Sequence, residues 1–362
     1  MADRKNQHFV PRTLLKPWTL ECSGKAINLF NIRLKNGIQN APVKNQCSKN
    51  YFYGKDLRLE KFLGVVEGIF SEIIRGLPTA NNLELGQHLS ILREFCFLQH
   101  LRTERSLAEE AVMLREMYDR IFHNALPEGH NVPTHERIVE ESMQRWHETV
   151  KYTIDLKGVF ILNNSNTPFI ISDDPAIHTN KFHIRRLRST NFGIQNSGMI
   201  LTMPLSPRMA VMFYDGDVYT VPDKNGFKLT MSSDADVKAL NELQYLKANA
   251  NIYFADWNKL EIIREEFCDI VERRLPVHFR LNLLVPVEGK EGVFKMADDQ
   301  SANPAGRSMI HIESVSFQPR SWPSQLRFRS KMFGYSDGSS AGLLRHQWAI
   351  EAGMDKRNKV KL

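Results

Sequence analysis

The spacing of apolar residues changes once along the chain, near Gly158, and this change constrains the fold more than any other feature. Before it, residues 56–156 repeat apolar side chains at helical spacing. After it, short runs rich in Val, Ile, Phe and Met are separated by Asn, Pro and Gly, which is typical of strands. Because the two patterns are segregated, we expect an α+β fold and not a doubly wound parallel sheet.

The elements follow in the order N-terminal strands, a helical block, and a mixed strand and helix region. The turn Ser23-Gly24-Lys25 predicts a hairpin that pairs Trp18–Cys22 with Ala26–Ile32. A further strand pair is expected around Ile310–Phe317. Helices are predicted over about 56–75, 83–103, 106–124, 134–156, 233–248 and 257–271. Strands are predicted over about 159–162, 169–172, 199–203, 209–214 and 252–255.

The length and the charge distribution predict a main body with an extension. A chain of 362 residues exceeds what one hydrophobic core usually supports. We expect a main domain over 1–285, with its helical block at 56–156 and its β-rich part at 158–285, followed by a linker and a basic extension over 286–362. From Gln318 to Leu362, nine Lys and Arg face three Asp and Glu. Such a segment favours an anionic partner, most often nucleic acid; a solvated tail is the alternative.

Several features point to a cytoplasmic chain without a membrane span. No apolar run approaches the roughly 18 residues that cross a bilayer, and no apolar stretch follows the charged N-terminus as in a secretory signal. The cysteines Cys22, Cys47, Cys96 and Cys268 lie far apart and form no C-x-x-C pair, which argues against a zinc ribbon or redox motif. The sequence does not predict an oligomeric state.

Two polar residues lie on the apolar side of the helix predicted over 83–103. Gln99 follows Leu92 by seven residues, and Arg102 follows Phe95 by seven. At about 100° per residue, each side chain projects only about 20° from the apolar one. Because a buried guanidinium needs a partner, we expect Arg102 to meet a carboxylate or to line a cleft that receives an anion.

Glu60 and Glu67 are candidate partners for that guanidinium. They lie seven residues apart on the edge of the core-facing stripe of the helix predicted over 56–75. Two carboxylates beside a core face suit either Arg102 or a metal ion. A buried ion-pair network that fixes the packing of the two helices explains the same pattern.

Two loop segments add further polar candidates. His8 begins an extended segment that Pro11 stiffens, and Ser172, Asp173 and Asp174 follow a predicted strand. Acidic residues just past a strand are frequent catalytic and ligand-binding positions. A single His is most often structural or exposed, however, and Asp-Pro is also a plain turn signal.

Five short motifs occur in an order that resembles a known family. They are His8-Phe-Val-Pro with Leu14-Leu15, the Glu60 to Glu67 helix, Phe97-Leu-Gln-His-Leu-Arg102-Thr, Phe169-Ile-Ile-Ser-Asp173-Asp-Pro, and Pro204-Leu-Ser-Pro207. Together they resemble the bacterial domain-of-unknown-function family 4238 over about residues 6–270. The resemblance implies that His8, Glu67, Arg102 and Asp173 recur together, with Gln99 and Ser172 beside them. Asp174 departs from the family, which commonly carries Asn there.

A His, carboxylates and an Arg suit hydrolysis at a phosphate, so the first hypothesis is a nuclease-like hydrolase of RNA or DNA. His8 would act as general acid or base, and Arg102 would stabilise charge on phosphate oxygens. Glu67 and Asp173, with Glu60 and Asp174, would orient the imidazole or hold a divalent metal such as Mg²⁺; the cofactor is otherwise unknown. A standalone bacterial protein of this type suggests a toxin or an antiviral defence effector.

Two basic runs would guide the polyanion. The first contains Lys181, Arg185, Arg186 and Arg188 beside Phe182 and His183, a mixture that suits backbone contacts and base stacking; an exposed loop is the alternative. The second contains Arg327, Arg329 and Lys331.

Two other functions stay open at this point. The sequence contains no P-loop, no H-E-x-x-H, no G-x-S-x-G and no dinucleotide fingerprint, which favours a nucleic-acid or nucleotide-binding protein without turnover. Hydrolysis of a small nucleotide or nucleotide cofactor would use the same residues.

Overall fold

The computed structural model describes residues 5–77, 79–122, 133–222, 227–298, 309–339 and 341–362. The predicted α+β class is confirmed, because short N-terminal strands precede a helical block over 58–153 and a strand-rich region with further helices follows. The helices are α1 Arg12–Leu15, α2 Arg58–Gly76, α3 Asn82–Leu101, α4 Glu104–Phe122, α5 His135–Thr149, α6 Asp234–Lys247, α7 Leu260–Ile270 and α8 His346–Glu351.

The strands are mostly short, and the longest contain eight residues. In chain order they are β1 Asn6–His8, β2 Ala26–Asn31, β3 Asn36–Pro42, β4 Ser48–Asn50, β5 Leu156–Asn163, β6 Ile171–Ser172, β7 Ile177–Thr179, β8 Ile200–Ser206, β9 Met209–Asp215, β10 Tyr219–Thr220, β11 Lys228–Met231, β12 Asn251–Phe254, β13 Phe279–Pro286, β14 Phe294–Met296, β15 Met309–Ser314, β16 Arg327–Phe328, β17 Phe333–Tyr335 and β18 Lys359–Lys361.

The helix termini explain why the predicted helices agree with the observed ones to within a few residues. Asn81 accepts a hydrogen bond from the Glu84 backbone N–H, and the Glu84 carboxylate accepts one from the Asn81 N–H, so a capping box begins α3. Thr134 caps α5 with a single hydrogen bond, which its side chain accepts from the Arg137 backbone N–H. The predicted helix over 134–156 ends earlier, because α5 tightens into a 3-10 turn over Val150–Thr153 and β5 begins at Leu156.

A five-stranded sheet of order β11-β5-β9-β8-β7 lies at the centre, with β11 parallel to β5 and the other pairs antiparallel. Successive side chains of a strand face opposite sides. In β5, Phe160 joins the core that α2 and α3 cover, whereas Val159 and Ile161 join the core that α6 and α7 cover. Burial on both faces explains why the central strands are continuous apolar runs.

A second sheet of order β3-β2-β12-β6 contains the N-terminal strand pair and corrects the hairpin prediction. The prediction that Trp18–Cys22 pairs with Ala26–Ile32 is met at one isolated antiparallel bridge, Thr19 with Ile27, and not as a pair of strands. Residues Lys16–Trp18 and Leu20–Cys22 form 3-10 turns, and β2 pairs with β3 and β12 instead. Pro17 lacks the backbone N–H that a ladder needs, and the fully buried Trp18 indole donates to the Phe169 carbonyl at 2.9 Å.

The segment after residue 258 packs against the rest of the chain. β13 pairs with β14 and β15, and the short strand β16 pairs with β10. The strand expected near 310–317 is present as β15, but its main partner is β13. Phe317 and Leu326 are buried in the same core as α6 and α7. The boundary between residues 285 and 286 stays a prediction, and residues 299–308 of the predicted linker lie outside the described residues.

No helix in the described ranges combines the length and the apolar composition that crossing a membrane requires.

Candidate functional site

Arg102 lies at the C-terminal end of α3, where its fully buried guanidinium joins two helices. Its Nε donates to Gln99 Oε1 at 2.9 Å, and its Nη1 donates to Glu67 Oε1 on α2, also at 2.9 Å. The face of Phe95 lies 5.7 Å from the guanidinium carbon. Burial opposes the charge, but the nearby Tyr53, Glu67 and Glu60 outweigh it and raise the pKa of Arg102 above its usual value. Arg102 therefore stays charged inside the fold.

The same network holds the N-terminal strand β1 against the helices. The amide nitrogen of Gln99, Nε2, donates to the Phe9 carbonyl at 2.8 Å. The Tyr53 hydroxyl donates to the His8 carbonyl at 3.4 Å, and the Tyr53 backbone N–H donates to Gln7 Oε1 at 2.6 Å. Gln7 and Gln99 are both fully buried. Together these contacts fix residues 7–9 against the rest of the fold, and we call this set of contacts the clasp.

His8 contributes its backbone to that clasp and leaves part of its side chain unpaired. Its Nε2 is buried and has no hydrogen-bond partner within the described part of the chain. Burial, together with the charge of Arg12, lowers the pKa of His8 to about 4. The imidazole is therefore neutral at neutral pH, which is the form that accepts a proton.

Asp173 caps the turn that leads into β12. Its carboxylate accepts backbone N–H groups from Asn249 at 2.8 Å, Ala250 at 2.7 Å and Asn251 at 3.1 Å. Burial raises the pKa of Asp173 to about 6, although these three donors favour the charged form. Both carboxylate oxygens are thus engaged by backbone groups.

Its neighbours Asp174 and Ser172 are tied to α6. The fully buried Asp174 pairs with Lys247, with Nζ and Oδ2 3.1 Å apart. Ser172 Oγ donates to Gln244 Oε1 at 2.8 Å, and Gln244 Nε2 donates to the Pro175 carbonyl at 2.9 Å. The loop 172–175 is therefore fixed by one face of α6.

The predicted site residues fall into two groups. Glu67, Gln99 and Arg102 meet directly, and Glu60 is close enough for its charge to act on Arg102. Asp173 and Asp174 are engaged elsewhere, by the 249–251 turn and by Lys247. Among the described residues, no group of three or more His, Cys, Asp or Glu is placed to hold a metal ion.

The two predicted basic runs come close together at Phe328, whose ring lies beside Lys181 and Arg186 of the first run. We call the two runs together the basic face; its residues are Lys181, Arg185, Arg186, Arg188, Arg327, Arg329 and Lys331. Lys181 Nζ donates to the Leu326 carbonyl at 2.6 Å and lies 5.3 Å from the centre of the Phe328 ring. The guanidinium carbon of Arg186 lies 4.9 Å from the same ring. A π-helical turn over His183–Leu187 thus packs beside β16.

The charges of the basic face are not neutralised locally. In the described ranges, no salt bridge joins any of its residues to an Asp or Glu. Burial, with the charge of Arg185 added, lowers the pKa of Lys181. The two residues predicted to stack on bases are buried. Phe182 is 3% exposed and His183 is 6% exposed, so neither ring is available to a base.

A cavity of about 250 Å³ contains titratable residues that sequence reasoning did not select. Its lining includes His100, Glu109, His178, Lys247 and His278. His278 Nδ1 lies 2.9 Å from Glu109 Oε1, and Arg105 Nε donates to the same oxygen at 2.7 Å. One signal was present in the sequence: Arg105 and Glu109 are four residues apart on one helix, a spacing typical of ion pairs.

Comparison with known families places most of these residues in one matched region. The model of the family described as protein of unknown function (DUF4238) matches residues 6–258, which is more than half of the chain. The chain belongs to this family. Comparisons with curated proteins and with solved structures found no match.

Some of the residues described above lie inside the DUF4238 match, and others lie after it. It includes the whole Arg102 network, the loop 172–175 and the basic run 181–188. His278, β15 and the second basic run 327–331 lie after the matched residues. Both the basic face and the cavity therefore combine residues of the DUF4238 match with residues that follow it.

Proposed function

We propose that the chain binds nucleic acid through the basic face. The observation that supports this most directly is the meeting of two cation-rich segments, 181–188 and 327–331, around the half-buried Phe328. Within the described ranges, no salt bridge joins these cations to an Asp or Glu. Unpaired Lys and Arg on one surface attract a phosphate backbone and release its counterions, which drives binding.

Phosphate contacts, and not base stacking, are the expected mode of binding. Phe328 already carries Lys181 and Arg186 near its ring and lies 5.6 Å from the ring of Tyr219. Its role is therefore to position the cations. Contacts of this kind carry little sequence information, so we expect similar affinities for different sequences of equal length.

Fluorescence anisotropy with labelled single-stranded RNA and DNA tests the proposal. The double variant Arg186→Ala/Arg327→Ala removes one cation from each segment and should weaken binding roughly tenfold or more at low salt. The matched control, Lys25→Ala/Arg33→Ala, removes two exposed cations elsewhere and should bind like the parent chain. Equal weakening in both variants would show a general effect of net charge and would refute a role for the basic face.

Phosphodiester hydrolysis is the second candidate function. It is favoured by the Glu67–Arg102 pair, with 2.9 Å between Nη1 and Oε1, and by the neutral His8 imidazole, whose Nε2 has no partner in the described part of the chain. In this hypothesis His8 accepts a proton from the attacking water, while the buried Arg102, paired with Glu67 and Gln99, fixes the position of residues 7–9. Hydrolysis of a small nucleotide would use the same roles.

A nuclease assay separates hydrolysis from binding alone. Purified chain is incubated with RNA or DNA, with and without Mg²⁺, and His8→Asn is compared with His147→Asn, an exposed histidine on α5. Hydrolysis predicts that His8→Asn abolishes product while its melting temperature stays close to that of the control. If the parent chain binds nucleic acid but forms no hydrolysis product, hydrolysis is refuted and the non-catalytic binding function is supported.

The role as a toxin or antiviral effector rests on hydrolysis and is tested in cells. Expression should stop growth, and His8→Asn should restore it while His147→Asn does not. Asp173→Ala is less informative, because Asp173 also holds the turn at 249–251. Harmless expression of the folded parent chain would count against this role.

A further inference from the structure

The histidine-lined cavity lies between α3, α4, α5 and the strands β7, β13 and β15. It shares no lining residue with the Arg102 network or with the basic face. Its volume is about 250 Å³, slightly below the range of roughly 300 to 1,000 Å³ that is usual for sites of drug-sized ligands. The cavity therefore suits a small molecule and not a polymer.

The carboxylates around the cavity are all matched by cations. Glu109 accepts from Arg105 and His278, and Glu110 forms a salt bridge with Arg145. The pKa of Glu109 is lowered to about 2: burial opposes this, and the hydrogen bond from His278 and the charges of Lys247 and Arg105 outweigh it. Glu109 is therefore ionised, and its charge is already shared between two donors.

The tautomers of two imidazoles follow from their partners. An ionised carboxylate only accepts, so His278 Nδ1 carries the proton and donates to Glu109. A backbone carbonyl also only accepts, so His100 Nδ1, 3.2 Å from the Ala176 carbonyl, carries the proton as well. In the neutral rings the Nε2 atoms of His100 and His278 are then acceptors. Within the described chain, the buried Nε2 atoms of His178 and His278 have no partner.

The charges that act on His100 and His178 are positive. Burial lowers the pKa of both rings, and the charge of Lys247 lowers it further in each case, while Arg345 acts on His178 as well. Lys247 is 7% exposed and pairs with the fully buried Asp174. An ammonium has three N–H donors, and this ion pair uses one side of it. The cavity thus combines a buried ammonium with acceptor nitrogens.

We propose that this cavity binds the phosphate group of a small phosphorylated molecule, with Lys247 and the imidazoles of His100 and His178 as its contacts. A monoprotonated phosphate offers an O–H donor for a ring Nε2 and further acceptor oxygens for the ammonium of Lys247, which has three N–H donors and already pairs with Asp174. A phosphomonoester is largely a dianion above its second pKa of about 6, so binding of its monoprotonated form above that pH takes up a proton. This site is independent of nucleic-acid binding at the basic face, so either can fail without the other.

Isothermal titration of the full chain with inorganic phosphate and with ribose 5-phosphate tests the site. We expect one site per chain. Ribose 5-phosphate should bind more tightly at pH 6 than at pH 8 and take up a proton on binding at pH 8, seen as a heat that depends on the ionisation enthalpy of the buffer. Inorganic phosphate, which carries an O–H at both pH values, should bind at both without this proton uptake. Sulfate, which has no proton to donate at these pH values, should bind more weakly. The proposal is refuted if neither phosphate compound binds. It is also refuted if sulfate binds as tightly as the phosphate compounds do at both pH values.

A matched pair of variants assigns the binding to the cavity. His178 and His183 each lie 5.6 Å from the ring of Phe192, but only His178 lines the cavity. His178→Gln loses a hydrogen bond to a charged ligand, so it should bind phosphate roughly tenfold or more weakly than the parent chain does. His183→Gln should bind as the parent chain does. Equal loss in the two folded variants would place the phosphate outside the cavity.

Discussion

At Arg102, one guanidinium with no solvent exposure links three segments that are far apart in the chain. It contacts Glu67 on α2 and Gln99 on α3, and Gln99 in turn holds the Phe9 carbonyl. A buried charge is tolerated only while it is paired, and the loss of its partner leaves the desolvation cost uncompensated. The residue is therefore sensitive to its neighbours even if it never touches a substrate.

Glu67→Gln should destabilise the fold by roughly 3 kcal/mol, because it leaves the Arg102 charge buried with only the more distant Glu60 as a counter-charge. The midpoint of urea unfolding measures this. Glu141→Gln is the control, since it breaks a largely exposed pair with Arg137 and should cost less than about 1 kcal/mol. Similar losses in the two variants would show that the buried pair is not a structural centre.

Residue spacing was sufficient to predict which side chains of α2 and α3 face the interior. Seven-residue spacing fixes the direction of Gln99 and Arg102 relative to their own helix, and the guanidinium is indeed paired with Glu67. The surroundings of Asp173 could not be predicted in this way. Its partners are backbone N–H groups of residues 249–251, and backbone donors leave no pattern in a sequence.

At the scale of elements, the connection between α6 and β12 depends on Asp173. Asp173→Asn keeps the size of the side chain but replaces one acceptor oxygen with a donor, so one or two of the three N–H bonds are lost. We expect faster hydrogen exchange at Ala250 and Asn251, with a loss of stability of roughly 1 to 3 kcal/mol. Exchange at Tyr253, inside β12, should change only as far as global stability does. Unchanged exchange at residues 249–251 would contradict this role.

The strand partners were harder to predict than the strands themselves. The runs that form β5, β8, β9 and β12 were recognised from their composition, because burial on both faces demands continuous apolar residues. The partners of β2 were not, because β12 lies about 220 residues away in the chain and β3, which begins 5 residues after β2, is mostly polar and exposed. The turn at 23–25 looked like a hairpin signal, yet Pro17 and the buried Trp18 favour 3-10 turns before it.

At the scale of the whole molecule, buried histidines make stability depend on pH. Among the described residues, burial lowers the pKa of five imidazoles, to about 4 in His8 and His183 and to about 3 in His178; the five are His8, His100, His178, His183 and His278. Between about pH 6.5, where the unfolded rings titrate, and pH 4, the unfolded chain therefore binds more protons. Stability is complete above pH 6.5 and is lost as the pH falls.

Three buried carboxyls in the described part of the chain act in the opposite direction and reduce the expected loss of stability. Burial raises the pKa of Asp173 and Asp215 to about 6 and also raises that of Asp174, so the folded chain takes up protons there. The five imidazoles outnumber the three carboxyls, so on acidification the unfolded chain takes up more protons than the folded chain. Each such extra proton lowers the free energy of unfolding by about 1.4 kcal/mol per pH unit. Melting temperatures from pH 8 to pH 4.5 measure this. A maximum near pH 5 would contradict the account.

The basic face is also a property of the whole molecule. Each basic run was visible in the sequence, but the runs are separated by about 140 residues and meet only because β16 pairs with β10 beside the turn at 183–187. Sequence composition gave the charges and could not give their juxtaposition. It could not give the histidine cavity either, since His100, His178 and His278 come from three separate elements.

The most direct test of the central claim is the salt dependence of nucleic-acid affinity. The logarithm of the binding constant for single-stranded RNA is measured against the logarithm of the salt concentration for the parent chain and for Arg186→Ala/Arg327→Ala. Each phosphate contact contributes a slope of roughly −0.7 on a single strand, so the variant slope should be shallower by about 1.4. An unchanged slope, or affinity that does not depend on salt, would contradict binding through the basic face.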